Sequence, residues 1–221
     1  MNSAMALIAA FASLAYWTND LYTLLAQPLL SQLPAGGQMI ATDVTTPFFV
    51  PLKVTMMAAF LLALPYILYQ LWRFVAPGLY ASEKRLVAPL IFASTSLFFC
   101  GMAFAYFVVF PAVFKFVILA APHGVAVMTD IDKYLSFVLG MFIAFGLTFQ
   151  VPVVVVVLVR MGFVTVEKLR DIRRYVIVGA FVVGAIFTPP DVVSQFMLAM
   201  PLWLLYEAGI VVASWMAPPK K

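Results

Sequence analysis

The sequence predicts an all-α polytopic membrane protein whose six transmembrane helices form a curved bundle. Hydrophobic residues fill 65% of the 221 positions and charged residues only 10%, and the mean hydropathy is +1.08. Most positions therefore cannot lie on the surface of a water-soluble domain. The apolar residues form six runs, most of them near the roughly 20 residues that cross a bilayer. Basic residues are concentrated in alternate connections between the runs, which is typical of a chain that crosses a membrane repeatedly.

The six predicted spans lie, in order, at residues 2–17, 51–72, 86–110, 134–159, 175–188 and 196–215. The first has no basic residue ahead of it and no convincing cleavage site of small residues, so it is interpreted as a span and not as a signal peptide. A cytoplasmic segment before this span is expected to be missing, and residues 1–221 are expected to form a single transmembrane domain. The fifth run has about 14 residues, or about 21 Å of helix, and predicts local thinning of the bilayer.

The distribution of lysine and arginine predicts that both chain ends lie in the cytoplasm. If the N-terminus is inside, ten of the 13 basic residues fall in inner connections or in the C-terminal tail. Basic residues near the ends of spans stay on the cytoplasmic side. Glu83 is then one of only three acids in the inner loops.

The connections and the prolines predict further helical features. The first outer connection, residues 18–50, has leucines at helical spacing interrupted by Pro28, which predicts one or two short amphipathic helices. The second outer connection, residues 111–133, begins with an apolar stretch interpreted as a helix that extends or caps the third span. Prolines inside the spans remove backbone donors and predict bent helices; they are Pro65, Pro89, Pro152 and Pro201.

Two polar side chains fall inside the predicted spans, where each costs free energy unless it finds a partner or water. Gln150 lies close to mid-depth. It is interpreted either as a structural hydrogen bond, to the Thr148 carbonyl or to a neighbouring span, or as a polar spot on a concave face where a transiting segment or partner helix docks. Glu207 is the only acid well inside a span. Burial favours its neutral form, and a structural and a functional role are both open.

Catalytic and cofactor motifs are absent from the sequence. It contains no phosphate-binding glycine loop with lysine, no HExxH motif and no paired cysteines, so we expect no catalytic residue, no metal and no cofactor. His123 stands alone in a predicted loop, and Cys100 is interpreted as a small apolar filler. The net charge of +4 is spread over several loops, which does not favour nucleic-acid binding. The sequence therefore predicts a protein that is not an enzyme and draws energy from partners or from an ion gradient.

Six ordered blocks resemble the TatC subunit of the twin-arginine protein translocase, and they cover nearly the whole chain. They are "IATDVTTPFF", "PYILYQLWRFVAPGLYASEKRL", "GMAFAYFVVFP", "YLSFVLGMFIAFGLTFQVPV", "YVIVGAFVVGAIFTPPDVVSQ" and "MPLWLLYEAGI". The resemblance implies a glove-like fold of six helices in the bacterial inner membrane. It also implies a multimeric complex with TatA and TatB that binds twin-arginine signal peptides and moves folded proteins, driven by the proton-motive force.

The resemblance assigns signal recognition to the inner loop that contains Glu83. In the family the matching acid contacts the arginine pair, and Phe74 helps to form the same surface. A carboxylate can accept two parallel hydrogen bonds from a guanidinium, so an arginine pair is a better ligand than a lysine pair. The competing interpretation is that Glu83 only pairs with neighbouring cations on a solvated face. Family members usually contribute a second acid from a segment before the first span, so the resemblance leads us to expect that residues 1–221 hold only half of the recognition site.

The resemblance also implies binding sites inside the membrane and at its outer side. Some relatives have an acid at position 150 and others glutamine, so Gln150 is expected to contact the inserted signal or a TatA or TatB helix by hydrogen bonding. Thr188 and Gln195 match a polar cluster where TatB or TatA is expected to dock. Asp191 lies in the turn between the last two spans and is interpreted as a cap of the sixth helix.

Two other functional classes are compatible with the residues alone. A small-molecule secondary transporter also has bent helices and intramembrane polar groups, although it usually shows an internal repeat of spans, and none is found in this sequence. A purely structural membrane subunit would show no affinity for signal peptides.

Overall fold

The computed structural model describes residues 2–30, 40–75, 87–119, 129–187 and 192–216, and these are helical apart from short connections. A 3₁₀ turn, Ala15–Trp17, joins the first two helices, and a π-helical turn, Ala105–Val109, joins the fourth and fifth. A single isolated bridge pairs Ile40 with Asp130 within the described residues. The helices are α1 Asn2–Leu14, α2 Thr18–Leu30, α3 Thr46–Val75, α4 Val87–Phe104, α5 Phe110–Leu119, α6 Ile131–Thr148, α7 Val151–Arg160, α8 Val166–Asp171, α9 Arg173–Phe187 and α10 Val192–Met216.

Four helical segments of the described chain are long and apolar enough to cross a membrane. They are Thr46–Arg73, Ala88–Phe116, Ile131–Arg160 and Ser194–Trp215, which correspond to the second, third, fourth and sixth predicted spans. The first and fifth predicted spans correspond to α1, with 13 residues, and α9, with 15 residues. The all-α membrane class is therefore confirmed, whereas the count of six spans stays a prediction.

The prolines act differently from one helix to the next. α3 continues through Pro65 and α10 through Pro201, but the helical path is broken between Thr148 and Val151, just before Pro152. α2 continues to Leu30, so one helix covers the region around Pro28.

Pro28 has no backbone N–H to donate to the carbonyl of Leu24, one turn earlier. The hydroxyl of Tyr106, on the π-helical turn, donates to that carbonyl at 3.0 Å, which replaces the lost hydrogen bond.

The chain forms two compact units, and the first comprises residues 1–67 and 104–142. In this unit α1 packs on α3 through small side chains, Ala10, Ala59 and Ala63. The hydroxyl groups of Thr18 and Thr55 share a hydrogen bond of 2.8 Å. The α5 and α6 segments meet in a cluster of aromatic rings formed by Tyr106, Phe110, Phe114, Tyr134, Phe137 and Phe142.

Asp130 starts α6 and fixes the end of the first predicted outer connection. Its Oδ1 accepts hydrogen bonds from the backbone N–H groups of Asp132 at 2.9 Å and Lys133 at 3.0 Å, as an N-cap residue does. Its Oδ2 accepts from the hydroxyl of Thr42 and from the Thr42 backbone N–H. The pKa of Asp130 is lowered most by the hydrogen bond from the Thr42 hydroxyl and next by the hydrogen bond from the backbone N–H of Lys133. The carboxylate form is thus the one that this region stabilises.

The second unit comprises residues 68–103 and 143–221. α10 is its central helix and packs on α7, α8 and α9. A buried apolar cluster joins these helices and contains Val155, Val159, Leu169, Tyr206, Ile210 and Ala213. The hydroxyl of Tyr206 donates to the carbonyl of Leu169 at 2.8 Å, which holds α8 against α10. The single-domain prediction is not tested by this packing and stays a prediction.

Candidate functional site

Three of the seven predicted site residues lie outside the described residues: Glu83, Thr188 and Asp191. Phe74 lies at the end of α3, where the helix is described but its side chain is not. Gln150, Gln195 and Glu207 are described with their side chains, and each makes a contact that the sequence could not specify.

Gln150 lies at the break between α6 and α7. Its backbone N–H donates to the carbonyl of Leu147 at 3.0 Å, and its own carbonyl accepts from Val154 at 3.0 Å. Its side-chain Nε2 donates to the backbone carbonyl of Ser94, on α4, at 2.8 Å. Of the two structural partners considered, the Thr148 carbonyl and a neighbouring span, Gln150 uses the neighbouring span. The half-buried amide remains partly open to a ligand.

Ser94 connects Gln150 to a third helix. Its hydroxyl oxygen accepts a hydrogen bond from Nε1 of Trp72, on α3, at 3.0 Å. Trp72 is 8% exposed and Ser94 is fully buried. Because water does not reach them, the indole N–H and the serine hydroxyl need this hydrogen bond to each other. Sequence reasoning missed Trp72 and Ser94, although a tryptophan inside an apolar run signals an indole N–H that needs a partner.

α4 and α6 approach closely enough for the Gln150 side chain to reach Ser94. A Cβ atom added at Gly101 would lie 2.5 Å from the carbonyl oxygen of Phe145, and one added at Gly146 would lie 2.4 Å from the ring of Phe98. Real Cβ atoms do not approach other atoms so closely. The two glycines therefore set the distance between α4 and α6.

α9 and α10 form a hairpin around Gln195. Nε2 of Gln195 donates to the backbone carbonyl of Phe181, on α9, at 3.0 Å. Beside this bond lies an apolar groove of about 220 Å³, which we call the α9–α10 groove. Its lining residues are Ile177, Phe181, Phe196, Ala199, Met200 and Trp203. A groove of this composition fits an apolar helix better than a polar ligand.

Glu207 forms an ion pair instead of standing alone inside the span. Its Oε2 lies 2.6 Å from Nη2 of Arg173, at the start of α9, and the two side chains are 25% and 44% exposed. The acid inside the span therefore has a cationic partner on the neighbouring helix. The pair links α9 to α10 near the end of the hairpin that lies away from Gln195.

The described residues contain no group of three or more histidine, cysteine, aspartate or glutamate side chains that could hold a metal ion. The side chains of Gln150 and Gln195 instead donate to backbone carbonyls, and Glu207 pairs with a guanidinium. Such contacts position helices against one another.

A family model and individual known proteins that resemble this chain carry the same family name. The chain matches the family model described as "Sec-independent protein translocase protein (TatC)" over residues 1–201. It is 54% identical over 210 residues to the Sec-independent protein translocase protein TatC of Escherichia coli, a match that covers 95% of this chain and 81% of the relative. It is 47% identical over 218 residues to the protein of the same name from Haemophilus influenzae, covering 99% and 85%.

Two solved structures share the fold. The crystal structure of a twin arginine translocase receptor, TatC, superposes with a TM-score of 0.84 at 38% identity and covers 96% of this chain and 93% of that one. A structure of such a receptor in the detergent DDM gives a TM-score of 0.86 at 38% identity and covers 96% and 94%.

Proposed function

Because this chain belongs to the TatC family of Sec-independent protein translocase proteins, we propose that it binds twin-arginine signal peptides and moves folded proteins across the bacterial inner membrane. As a member of this family it is a core component and receptor of the twin-arginine translocase. Family membership decides against the two alternatives, a secondary transporter and a structural subunit, and it confirms the prediction of a non-enzymatic protein.

The proposal is carried by the match to twin-arginine translocase receptors over 96% of the chain. Gln150 supports it, because a half-buried amide at a helix break is the kind of polar group that an inserted peptide can contact. Polar groups within membrane helices mark such pathways.

Recognition begins in our proposal at Glu83 and Phe74, on the inner surface. The carboxylate of Glu83 accepts parallel hydrogen bonds from the guanidinium groups of the arginine pair, a geometry that lysine does not offer. The apolar part of the signal peptide then moves toward Gln150.

Site-specific photocrosslinking from position 83 tests this step. We expect a peptide with Arg-Arg to crosslink and the same peptide with Lys-Lys to crosslink far less. Glu83→Gln should weaken binding of the Arg-Arg peptide by roughly tenfold or more, since a charge-assisted bond contributes about 1.5–3 kcal/mol. Glu167→Gln, which removes another predicted inner acid, is the matched control and should bind normally. Equal binding by both variants would refute the role of Glu83.

TatA and TatB dock, in our proposal, on the α9–α10 groove and contact Gln195 and Thr188. The groove is apolar, and several of its lining side chains are exposed, among them Phe196 at 47% and Met200 at 44%. A short fifth span supports assembly there, because a thinned bilayer is easier to perturb.

We further propose that both chain ends are cytoplasmic and that the proton-motive force drives transport in a multimeric complex. Labelling of single cysteines at Lys221 and in residues 40–45 tests the topology, after the exposed Cys100 is replaced by serine. The first position should react only from the cytoplasmic side and the second only from the outer side. An uncoupler should stop transport while signal binding continues.

A further inference from the structure

We propose that Ser94, fixed by Trp72, orients the Gln150 amide so that its Oε1 accepts a hydrogen bond from the inserted signal peptide. Gln150 would then favour signals that carry a donor side chain, such as serine, threonine or asparagine, within their apolar segment. This inference rests on the proposed function and adds a preference that the arginine pair does not provide.

The chemistry of the contact fixes which end of the amide faces α4. A backbone carbonyl oxygen only accepts hydrogen bonds, so the Gln150 atom 2.8 Å from the Ser94 carbonyl must be the donor, Nε2. Oε1 then points away from that carbonyl. Within the described residues it has no hydrogen-bond partner, and the side chain is only half-buried. The group left open to a ligand is therefore an acceptor.

Trp72 keeps Ser94 in place from the other side. Its indole N–H can only donate, and the Ser94 hydroxyl oxygen meets it at 3.0 Å in a buried setting. Loss of that acceptor would leave a buried donor without a partner, which is more costly than removing both groups. Trp72 and Ser94 are thus positioning residues that act through Gln150, and neither needs to touch the peptide.

A hydrogen-bond acceptor in an apolar environment discriminates between ligands that carry a donor group and ligands that do not. A leucine side chain leaves Oε1 unpaired, whereas a hydroxyl or amide N–H of the peptide satisfies it. A carboxylate at position 150 would place two acceptors opposite each other at Ser94. The glutamine is thus matched to its local partner, and a glutamate would need a proton to make the same bond.

The test uses the protein in the membrane and two signal peptides that differ at one position of the apolar segment, leucine in one and serine in the other. Both keep the arginine pair. Photocrosslinkers at Leu147 and Val154, which are 55% and 46% exposed and flank Gln150, record insertion. A crosslinker at position 83 records surface binding. We expect the serine peptide to crosslink at the inner positions about three- to tenfold more than the leucine peptide, with equal surface binding.

Variants then distinguish the orientation of the Gln150 amide from a general loss of stability. Gln150→Met keeps the length of the side chain and should abolish the preference, and Trp72→Phe should reduce it. Ser94→Ala should reduce both the preference and the stability, because it leaves the Trp72 N–H unpaired. Trp72→Phe combined with Ser94→Ala should be more stable than Ser94→Ala alone, since no donor is then stranded.

Each outcome decides the inference. Equal insertion of the two peptides, with surface binding intact, overturns it and leaves the proposed function standing. A preference that persists in Gln150→Met also overturns it, because another acceptor would be responsible. If serine raises crosslinking only when it is placed in a TatA or TatB helix, and not in the signal peptide, the ligand is not the signal peptide and the inference is overturned. If neither peptide binds at position 83, the proposed function fails together with this inference.

Discussion

Hydroxyl groups in membrane helices differ in how well they are paired, and two threonines show the extremes. The Oγ1 of Thr95, on α4, is buried and has no hydrogen-bond partner among the described residues. The hydroxyl of Thr55, on α3, contacts both the Thr18 hydroxyl at 2.8 Å and the Pro51 carbonyl at 2.9 Å. Burial of an unpaired hydroxyl costs free energy, whereas a paired hydroxyl contributes to stability.

Thr95→Val is therefore expected to keep or raise the stability, by up to about 1 kcal/mol. Thr55→Val, the matched control, should lower it by about 1–2 kcal/mol. Thermal unfolding of both variants in detergent measures the difference. A clear loss of stability in Thr95→Val would show that its hydroxyl is satisfied by water.

The ion pair between Arg173 and Glu207 predicts an asymmetric response to mutation. Arg173→Gln strands a carboxylate that is 25% exposed, whereas Glu207→Gln strands a guanidinium that is 44% exposed. The first should cost more stability, about 1–2 kcal/mol after allowance for solvent screening. The double variant should be less destabilised than the sum of the two. Additive losses in a thermal unfolding cycle would argue against the pair.

Among the elements, α4 and α6 depend on a glycine at the point of contact. Gly146→Ala should destabilise the protein by about 1–3 kcal/mol, because the new Cβ would lie 2.4 Å from the ring of Phe98, which is only 2% exposed. Gly140→Ala, also in α6, is the control: nothing lies within 4 Å of its added Cβ, and alanine favours helix more than glycine by up to about 1 kcal/mol. Gly140→Ala should therefore be neutral or stabilising. The same loss at both glycines would show that helix propensity, and not packing, controls α6.

The stability that Asp130 contributes at the start of α6 should depend on pH. The pKa of Asp130 is lowered from 3.8, chiefly by the Thr42 hydroxyl, so its carboxylate is bound more favourably in the folded state. Its contribution to stability is present above that value and is lost as the pH falls below it. Asp130→Asn keeps a capping side chain that does not titrate. Between pH 6 and pH 3 the melting temperature of the native protein should fall further than that of Asp130→Asn. Parallel curves would contradict the role of Asp130.

At the scale of the whole molecule, the proposed docking of TatA and TatB on the α9–α10 groove predicts how assembly responds to mutation. Met200→Gln places an amide in the groove and should reduce co-purification of TatA and TatB at least several-fold. The residue is 44% exposed, so the isolated protein should remain folded. Val211→Gln is the control, because Val211 lies on the same helix and is 46% exposed but does not line the groove. Normal assembly in Met200→Gln, or an equal defect in Val211→Gln, would place the partner elsewhere.

The helical membrane class, the positions of four spans and the two intramembrane polar residues follow from local features of the sequence. An apolar run of bilayer length predicts a membrane span without any tertiary information, because its residues are buried in hydrocarbon when the run crosses the bilayer. Gln150 and Glu207 could be recognised for the same reason, since each interrupts an apolar run. Local patterns were less informative at the prolines: Pro28 leaves α2 intact because Tyr106, far away in sequence, replaces the missing hydrogen bond.

The sequence by itself determined that this chain lies in a membrane as a set of helices and that Gln150 and Glu207 need partners. Only the tertiary structure decided which partners they have: the Ser94 carbonyl, 56 positions before Gln150, and the Arg173 guanidinium, 34 positions before Glu207. The physical reason is that a hydrogen bond depends on how two helices approach and rotate about each other. That geometry is set by contacts such as those of Gly101 and Gly146, which no hydropathy pattern encodes.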